Sequence, residues 1–316
     1  MWILWTAIGI VSFLIVVLAV AVIFFFNNGI VRNDKRENFY YNRDHAEKYV
    51  EPEFLETVIH GSEWIRDTKA EDVYIKSFDN LRLHARLFIP ENPKATIIMC
   101  HGYRSSGYND FADYAEFIFG KGYRMLIIDQ RACLESEGKY IGMGVLERYD
   151  CRAWVEEVNR RFPGEPIFLQ GVSMGAATVL MTTGLELPDN VRGVIADCGF
   201  TSPRKIFGAV MKQSYHLPPE PFMAIMTLVI KIFAKYDANY SAEDALKTNK
   251  LPLLIVHGEA DGFVPHYMSE QNVKAAENCE VTFISVPGAD HARSYLKDMP
   301  RCREAVTKFL EKHLNA

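Results

Sequence analysis

The chain has 316 residues, of which 49% are hydrophobic and 24% charged, the composition of a globular protein able to bury one large core. A formal net charge of -5 and the lack of an aromatic-interleaved basic stripe argue against a nucleic-acid partner. The cysteines (Cys100, Cys133, Cys151, Cys198, Cys279, Cys302) are scattered without C-x-x-C spacing, and the histidines without H-E-x-x-H spacing, so neither metal nor cofactor is expected.

Residues 1–26 contain no charged side chain and are interrupted only by Thr6 and Ser12. As a helix, the run from Trp2 to Phe26 spans roughly 37 Å, which is enough to cross a bilayer. The positive flank of a signal peptide is missing at its start, so a retained single-pass membrane helix is expected. Arg32, Lys35, Arg36 and Arg43 all follow the span, which points the rest of the chain toward the cytoplasm. Residues 27–51 are polar and charge-mixed and read as a juxtamembrane tether. The domain proper is expected over 52–316, beginning with an amphipathic helix over 53–67.

Residues 73–78 and 81–88 alternate apolar and polar side chains around Asp79-Asn80, the pattern of an antiparallel hairpin. Continuous apolar runs follow at 97–100, 125–128, 167–169, 194–196, 253–256 and 281–286, as in strands buried on both faces. Helical periodicity lies between them, for example at Phe111, Tyr114, Ala115 and Ile118, and at Cys151, Trp154, Val155 and Val158. Strand and helix alternation implies a doubly wound, mainly parallel α/β sheet, with function at the carboxyl ends of its strands. Residues 202–250 interrupt that alternation and read as a short helical cap, in which Phe207, Met211, Met223, Met226, Leu228, Ile230 and Phe233 either line a cleft or pack onto the sheet.

Gly171-Val172-Ser173-Met174-Gly175 matches G-x-S-x-G between a strand and a helix. Glycines two residues to either side let a sharp reversal form around Ser173. A serine hydroxyl needs a base, and the chain order of this motif calls for an acid and then a histidine downstream. Asp261, after the 253–256 run, and His291, after the 281–286 run, fit that order. Asp197, Glu259 and Asp290 compete for the acid, and His257 and His266 for the base. Two backbone amides are needed for an oxyanion, and Met174 and Tyr103 are the candidates.

With these residues placed, the chain from about residue 73 onward resembles the α/β-hydrolase superfamily, particularly bacterial members similar to the serine aminopeptidase and prolyl oligopeptidase-like lineages. Asp79-Asn80-Leu81-Arg82-Leu83, Asp129-Gln130-Arg131 with Ser136-Glu137-Gly138, and Asp261-Gly262-Phe263-Val264-Pro265 carry the likeness. Ala132-Cys133-Leu134 departs from the relatives' usual pattern at a position that is normally structural. Gly142-Met143-Gly144 lacks the third glycine of a dinucleotide fingerprint and reads as a turn before a helix near Leu146. The resemblance implies a serine hydrolase acting on a small-molecule acyl substrate, an ester before a peptide. A peptidase of the same fold and a non-catalytic, membrane-tethered binding protein are the alternatives.

Overall fold

The computed structural model describes residues 1–33 and 43–315. Eight strands form one sheet: β1 (Glu71–Lys76), β2 (Arg82–Phe88), β3 (Thr96–Cys100), β4 (Arg124–Ile128), β5 (Ile167–Val172), β6 (Val191–Asp197), β7 (Leu253–Gly258) and β8 (Val281–Val286). Their spatial order is β1-β2-β4-β3-β5-β6-β7-β8; β2 runs antiparallel to both neighbours, and β3 to β8 are parallel. The chain leaves β3 toward β4 and returns across it to β5, so the carboxyl ends of β3 and β5 flank a topological switch point.

The apolar runs divide by residue parity. Ile98, Cys100, Leu169, Val194 and Ile255 pack on one face of the sheet. Ile97, Met99, Phe168, Ile195 and Leu254 pack on the other, as the two-residue period of a strand requires. The first face is covered by the helices Glu147–Arg161 and Met174–Thr182. The second is covered by Met299–His313, through Val306, Phe309 and Leu310.

Several local expectations differ from the structure. The helical pattern at 111–118 resolves into two short helices, Gly107–Asp110 and Ala115–Gly120, with Phe111 and Tyr114 buried between them. The strand expected at 167–169 runs on to Val172 and carries the chain directly into the Ser173 turn. The N-terminal helix extends from Trp2 to Gly29, and its last turns bury Val22 and Phe26 against the domain.

The expected tether is not an open linker at its described ends. Ile30 is fully buried, Val31 bridges to Tyr140, and the Arg32 guanidinium donates to the Leu134 and Ser136 carbonyls at 2.8 and 2.6 Å. Residues 34–42 lie outside the described residues. Beyond them the helix Arg43–Tyr49 buries Ala46, and Val50 is buried just after it. The domain therefore holds Ile30, Val31 and Arg32 within the stretch expected as a juxtamembrane tether over 27–51.

The cap consists of the helices Pro203–Ser214, Phe222–Val229 and Ala242–Leu246, with a π-helical turn over Ile230–Ala234. Met211, Met223, Met226 and Ile230 sink into the core, whereas Leu228 and Phe233 face outward.

The loop after β4 is fixed by Arg131, which is buried and makes paired hydrogen bonds to Asp150 at 2.6 and 2.7 Å and to the part-exposed Asp79 at 3.0 and 3.2 Å. Removing one member of a buried pair leaves an uncompensated charge, which costs about 3–5 kcal/mol, whereas an exposed pair is worth about 0–1 kcal/mol. Denaturant unfolding should therefore show Asp150→Asn destabilised by about 3–5 kcal/mol and Asp79→Asn by much less. Equal losses would mean that Asp79 carries the loop.

Candidate active site

Ser173 follows β5 and precedes the helix Met174–Thr182, with φ 55° and ψ -114°, a conformation that costs a side-chain-bearing residue energy. The reversal requires close backbone approach. A Cβ on Gly175 would lie 1.8 Å from the Cys100 carbonyl oxygen, and one on Gly171 would lie 2.2 Å from the Gly175 backbone. The Ser173 amide donates to the Asp197 carbonyl at 2.8 Å, which ties the turn to the end of β6.

Asp261 and His291 arrive on the loops after β7 and β8. The His291 ring lies between the other two groups, with Nδ1 2.8 Å from Asp261 Oδ2 and Nε2 3.0 Å from Ser173 Oγ. With Nδ1–H donating to the carboxylate, Nε2 of the neutral ring is left to accept from the serine hydroxyl. Such a line of groups can move a proton from oxygen to imidazole while the carboxylate stabilises the resulting cation.

Asp261 is held by more than the histidine. Oδ1 accepts from the Phe263 and Val264 amides at 2.8 and 2.7 Å, and Oδ2 also meets His257 Nε2 at 3.0 Å. Burial pushes its pKa upward, but hydrogen bonds from His257 and His291, with their positive potential, outweigh this and hold it well below the ordinary carboxylate range. The contribution of His257 is not visible in the linear sequence. It lies in β7, fully buried, with Nε2 also facing the Val264 carbonyl and Nδ1 2.6 Å from Ser269 Oγ.

The other rivals are used elsewhere. Asp197 is buried, and burial together with the nearby Asp113 and Asp261 carboxylates raises its pKa well above the usual range. Asp290 Oδ1 accepts from the Gly262 and His291 amides and splices the two loops together. Glu259 Oε1 accepts from Ser285, whose hydroxyl also meets His266 Nε2 at 2.8 Å. The His291 ring bonds to none of them.

Met174 occupies the first position of its helix, where the amide has no intrahelical acceptor. Tyr103 follows His101-Gly102 at the end of β3. A Cβ on Gly102 would stand 3.3 Å from Ser173 Cβ, so this loop runs directly beside the serine. The Gly102 amide donates to Asp110 Oδ2 at 2.5 Å, and the buried His101 ring accepts from the Gln130 amide, which together immobilise the loop.

Cys198 Sγ, Asp261 and His291 bring potential ligand atoms within 4.8 Å of one another. Asp261 and His291 are engaged with each other, and burial foremost, then the Asp197 and Asp261 carboxylates, raises the Cys198 thiol pKa well above normal, keeping it protonated. Cys133 is likewise buried, and that burial pushes its pKa up to about 12, against a redox role.

A cavity of about 330 Å³ opens beside Ser173. Its walls are Phe200, Ile206, Phe207 and Val210 from the cap side, Met143 and Tyr103 from strand-end loops, and Phe24 and Phe25 from the N-terminal helix. Among the described residues, none that lines it is charged. Met143, at φ 52° in the turn after β4, is the only methionine on the wall; the cap methionines pack inward instead. The turn is held by Glu147, which accepts from the Gly142 and Gly144 amides at 2.6 and 2.8 Å.

Comparison with known proteins finds similar chains and folds. The family model for Serine aminopeptidase, S33, matches residues 91–236. The uncharacterized protein YqkD of Bacillus subtilis (strain 168) is 28% identical over 225 residues, covering 70% of this chain and 73% of that one. The Pyrococcus furiosus esterase Pf2001 superposes with a TM-score of 0.61 at 25% identity, over 78% of this chain and 94% of the esterase. The Pyrococcus horikoshii acylaminoacyl peptidase superposes with a TM-score of 0.60 at 18% identity, over 80% of this chain and 43% of the peptidase. This sheet order and the strand-turn-helix at Ser173 are those of an α/β-hydrolase fold, and over residues 91–236 the chain is similar to the serine aminopeptidase, S33, family.

Proposed function

We propose that the chain is a serine hydrolase that cleaves an ester or related acyl bond from a membrane-held position. The observation that carries this reading is the continuous contact from Ser173 Oγ through the His291 ring to Asp261 Oδ2, at 3.0 and 2.8 Å. Ser173 Oγ attacks the substrate carbonyl carbon while its proton passes to His291 Nε2. Asp261 fixes the imidazole tautomer and balances its charge. The Met174 and Tyr103 amides receive the oxyanion, a contribution of about 3–4 kcal/mol per donor. His291 then returns the proton to the leaving oxygen, and water, activated by the same ring, releases the acyl group from Ser173.

The cavity wall favours an acyl ester over an aminoacyl peptide. Recognition of a free amino terminus needs a carboxylate, and the described residues of the wall beside Ser173 include none. The helix Trp2–Gly29, long and apolar enough to cross a membrane, holds the protein there, with the domain on the cytoplasmic side by the charges that follow it. A binding protein that kept the fold without catalysis is the rival of a different class.

A fluorophosphonate probe should label the wild-type protein and leave Ser173→Ala unlabelled; an unlabelled wild type would favour the binding protein. Short-chain p-nitrophenyl esters should be cleaved far faster than aminoacyl p-nitroanilides, and the reverse order would assign the site to a peptidase. Asp261→Asn should lower kcat by roughly 10⁴-fold, because the ring loses its fixed tautomer. The folded pKa of Asp261 lies below its unfolded value of about 4. Its contribution to stability is therefore complete above about pH 4 and is lost as the pH falls toward the folded pKa. Acid unfolding of Asp261→Asn should accordingly depend less steeply on pH than that of the wild type.

A further inference from the structure

We propose that the substrate is a long-chain acyl ester of a bilayer lipid, and that its chain enters the cavity from the membrane along the N-terminal helix, which is a wall of the site as well as an anchor. The inference rests on the serine hydrolase reading above and adds the substrate class and the route of entry.

The helix and the cavity are one construction. Phe24, Phe25, Asn28 and Gly29 line the same space as Ser173. The carboxyl end of the helix is clamped by the loop that carries the Tyr103 amide. The Tyr103 hydroxyl donates to the Gly29 carbonyl at 2.8 Å, and Arg104 donates to the carbonyls of Asn28 and Val31 at 2.9 and 2.7 Å. A cation at a helix carboxyl terminus also meets the negative end of its dipole. An anchor that served only to hold the domain near a membrane would need no such docking.

The lengths agree with this arrangement. Burial begins at Val22 and Phe26, and the residues before Val22 are largely exposed apolar side chains. Some twenty residues at 1.5 Å each span about 30 Å, the thickness of a bilayer's hydrocarbon core. The docked turns, and with them the cavity, then sit at the membrane boundary.

The cap supplies the adjoining surface. Leu217, Ile225, Leu228, Ile232 and Phe233 are exposed, Leu228 and Phe233 by 57% and 56%. This face is continuous with the helix, because Phe25 packs edge-on against Tyr215 and Phe222, and Phe26 against Phe233 at 6.0 Å between ring centres. An apolar cap face joined to an apolar span, with no charge among the described residues of the cavity wall between them and Ser173, matches the hydrocarbon edge of a bilayer. At about 330 Å³ the cavity is near the lower limit for small-molecule sites, so it takes one chain and leaves the headgroup outside. The chemistry balances as hydrolysis: Ser173 Oγ bonds to the acyl carbon, the ester C–O bond breaks, His291 protonates the departing lysolipid alkoxide, and water releases the fatty acid.

The test places the full-length protein in vesicles of phosphatidylethanolamine and phosphatidylglycerol, with released fatty acid and lysolipid measured by mass spectrometry and p-nitrophenyl butyrate turnover measured in the same vesicles. Wild type should release both lipid products, and Ser173→Ala neither. Leu228→Glu with Ile232→Glu should lower the ratio of lipid to butyrate turnover by roughly tenfold or more, since charge on that face opposes contact with the bilayer. Phe25→Trp, which narrows the cavity, should lower turnover of p-nitrophenyl laurate relative to butyrate. Butyrate hydrolysis with no fatty acid released above the Ser173→Ala background would overturn the lipid assignment and leave the serine hydrolase standing. An unchanged ratio in the double variant would overturn entry from the bilayer. Failure on both substrates, with no fluorophosphonate labelling, would overturn the hydrolase reading itself.

Discussion

The approach of the helix Met174–Thr182 to the end of β3 is the constraint from which the site follows. Because a Cβ on Gly175 would lie 1.8 Å from a backbone oxygen of β3, only glycine lets the helix start where it does. That placement holds Ser173 at positive φ at the switch point between β3 and β5. It also aims the helix amino terminus at the same spot, where partial positive charge favours an anion. The strain at one residue is borne by the sheet and helix that surround it, which are among the most completely buried elements of the domain.

The electrostatics are divided between two buried carboxylates with opposite fates. Asp261 has four partners and stays ionised despite its burial. Asp197, also buried, lies among other acids and has one carboxyl oxygen without a partner, so its neutral form is favoured. These opposite directions make Asp261 the carboxylate that favours the charged form beside His291. The His257 ring takes part in this by occupying the remaining lone pair of Asp261 that faces the core.

The amino-terminal helix changes the meaning of the domain boundary. Its last turns complete a core cluster, supply part of the cavity wall and are tied through Arg104 and Tyr103 to the loop beside Ser173. A displacement of the helix would therefore act on the loop and the cavity together. The amino-terminal helix and the candidate site are one mechanical unit.

Most of the sheet was legible in the sequence because strands buried on both faces must be apolar, and the half-buried edge strand β8 still carries an apolar run that matches its bounds. The G-x-S-x-G match and the downstream Asp261 and His291 were legible because a strained turn demands glycine and the motif fixes chain order. The helices at 111–118 were misjudged, since an apolar period of 3.6 survives in a pair of short turns whose break at 111–114 no residue type announces. By itself, then, the sequence determined the layered α/β class, the apolar span and the three side chains worth watching, since each leaves a local signature in residue type and period. Only the tertiary structure decided that His257 shares the Asp261 carboxylate, that the cap methionines pack inward, and that Phe24 and Phe25 wall the cavity. Phe24 and Phe25 lie far along the chain from Ser173, while His257, four residues from Asp261, and the cap methionines turn to faces that periodicity leaves open, so packing alone selects among the partners available.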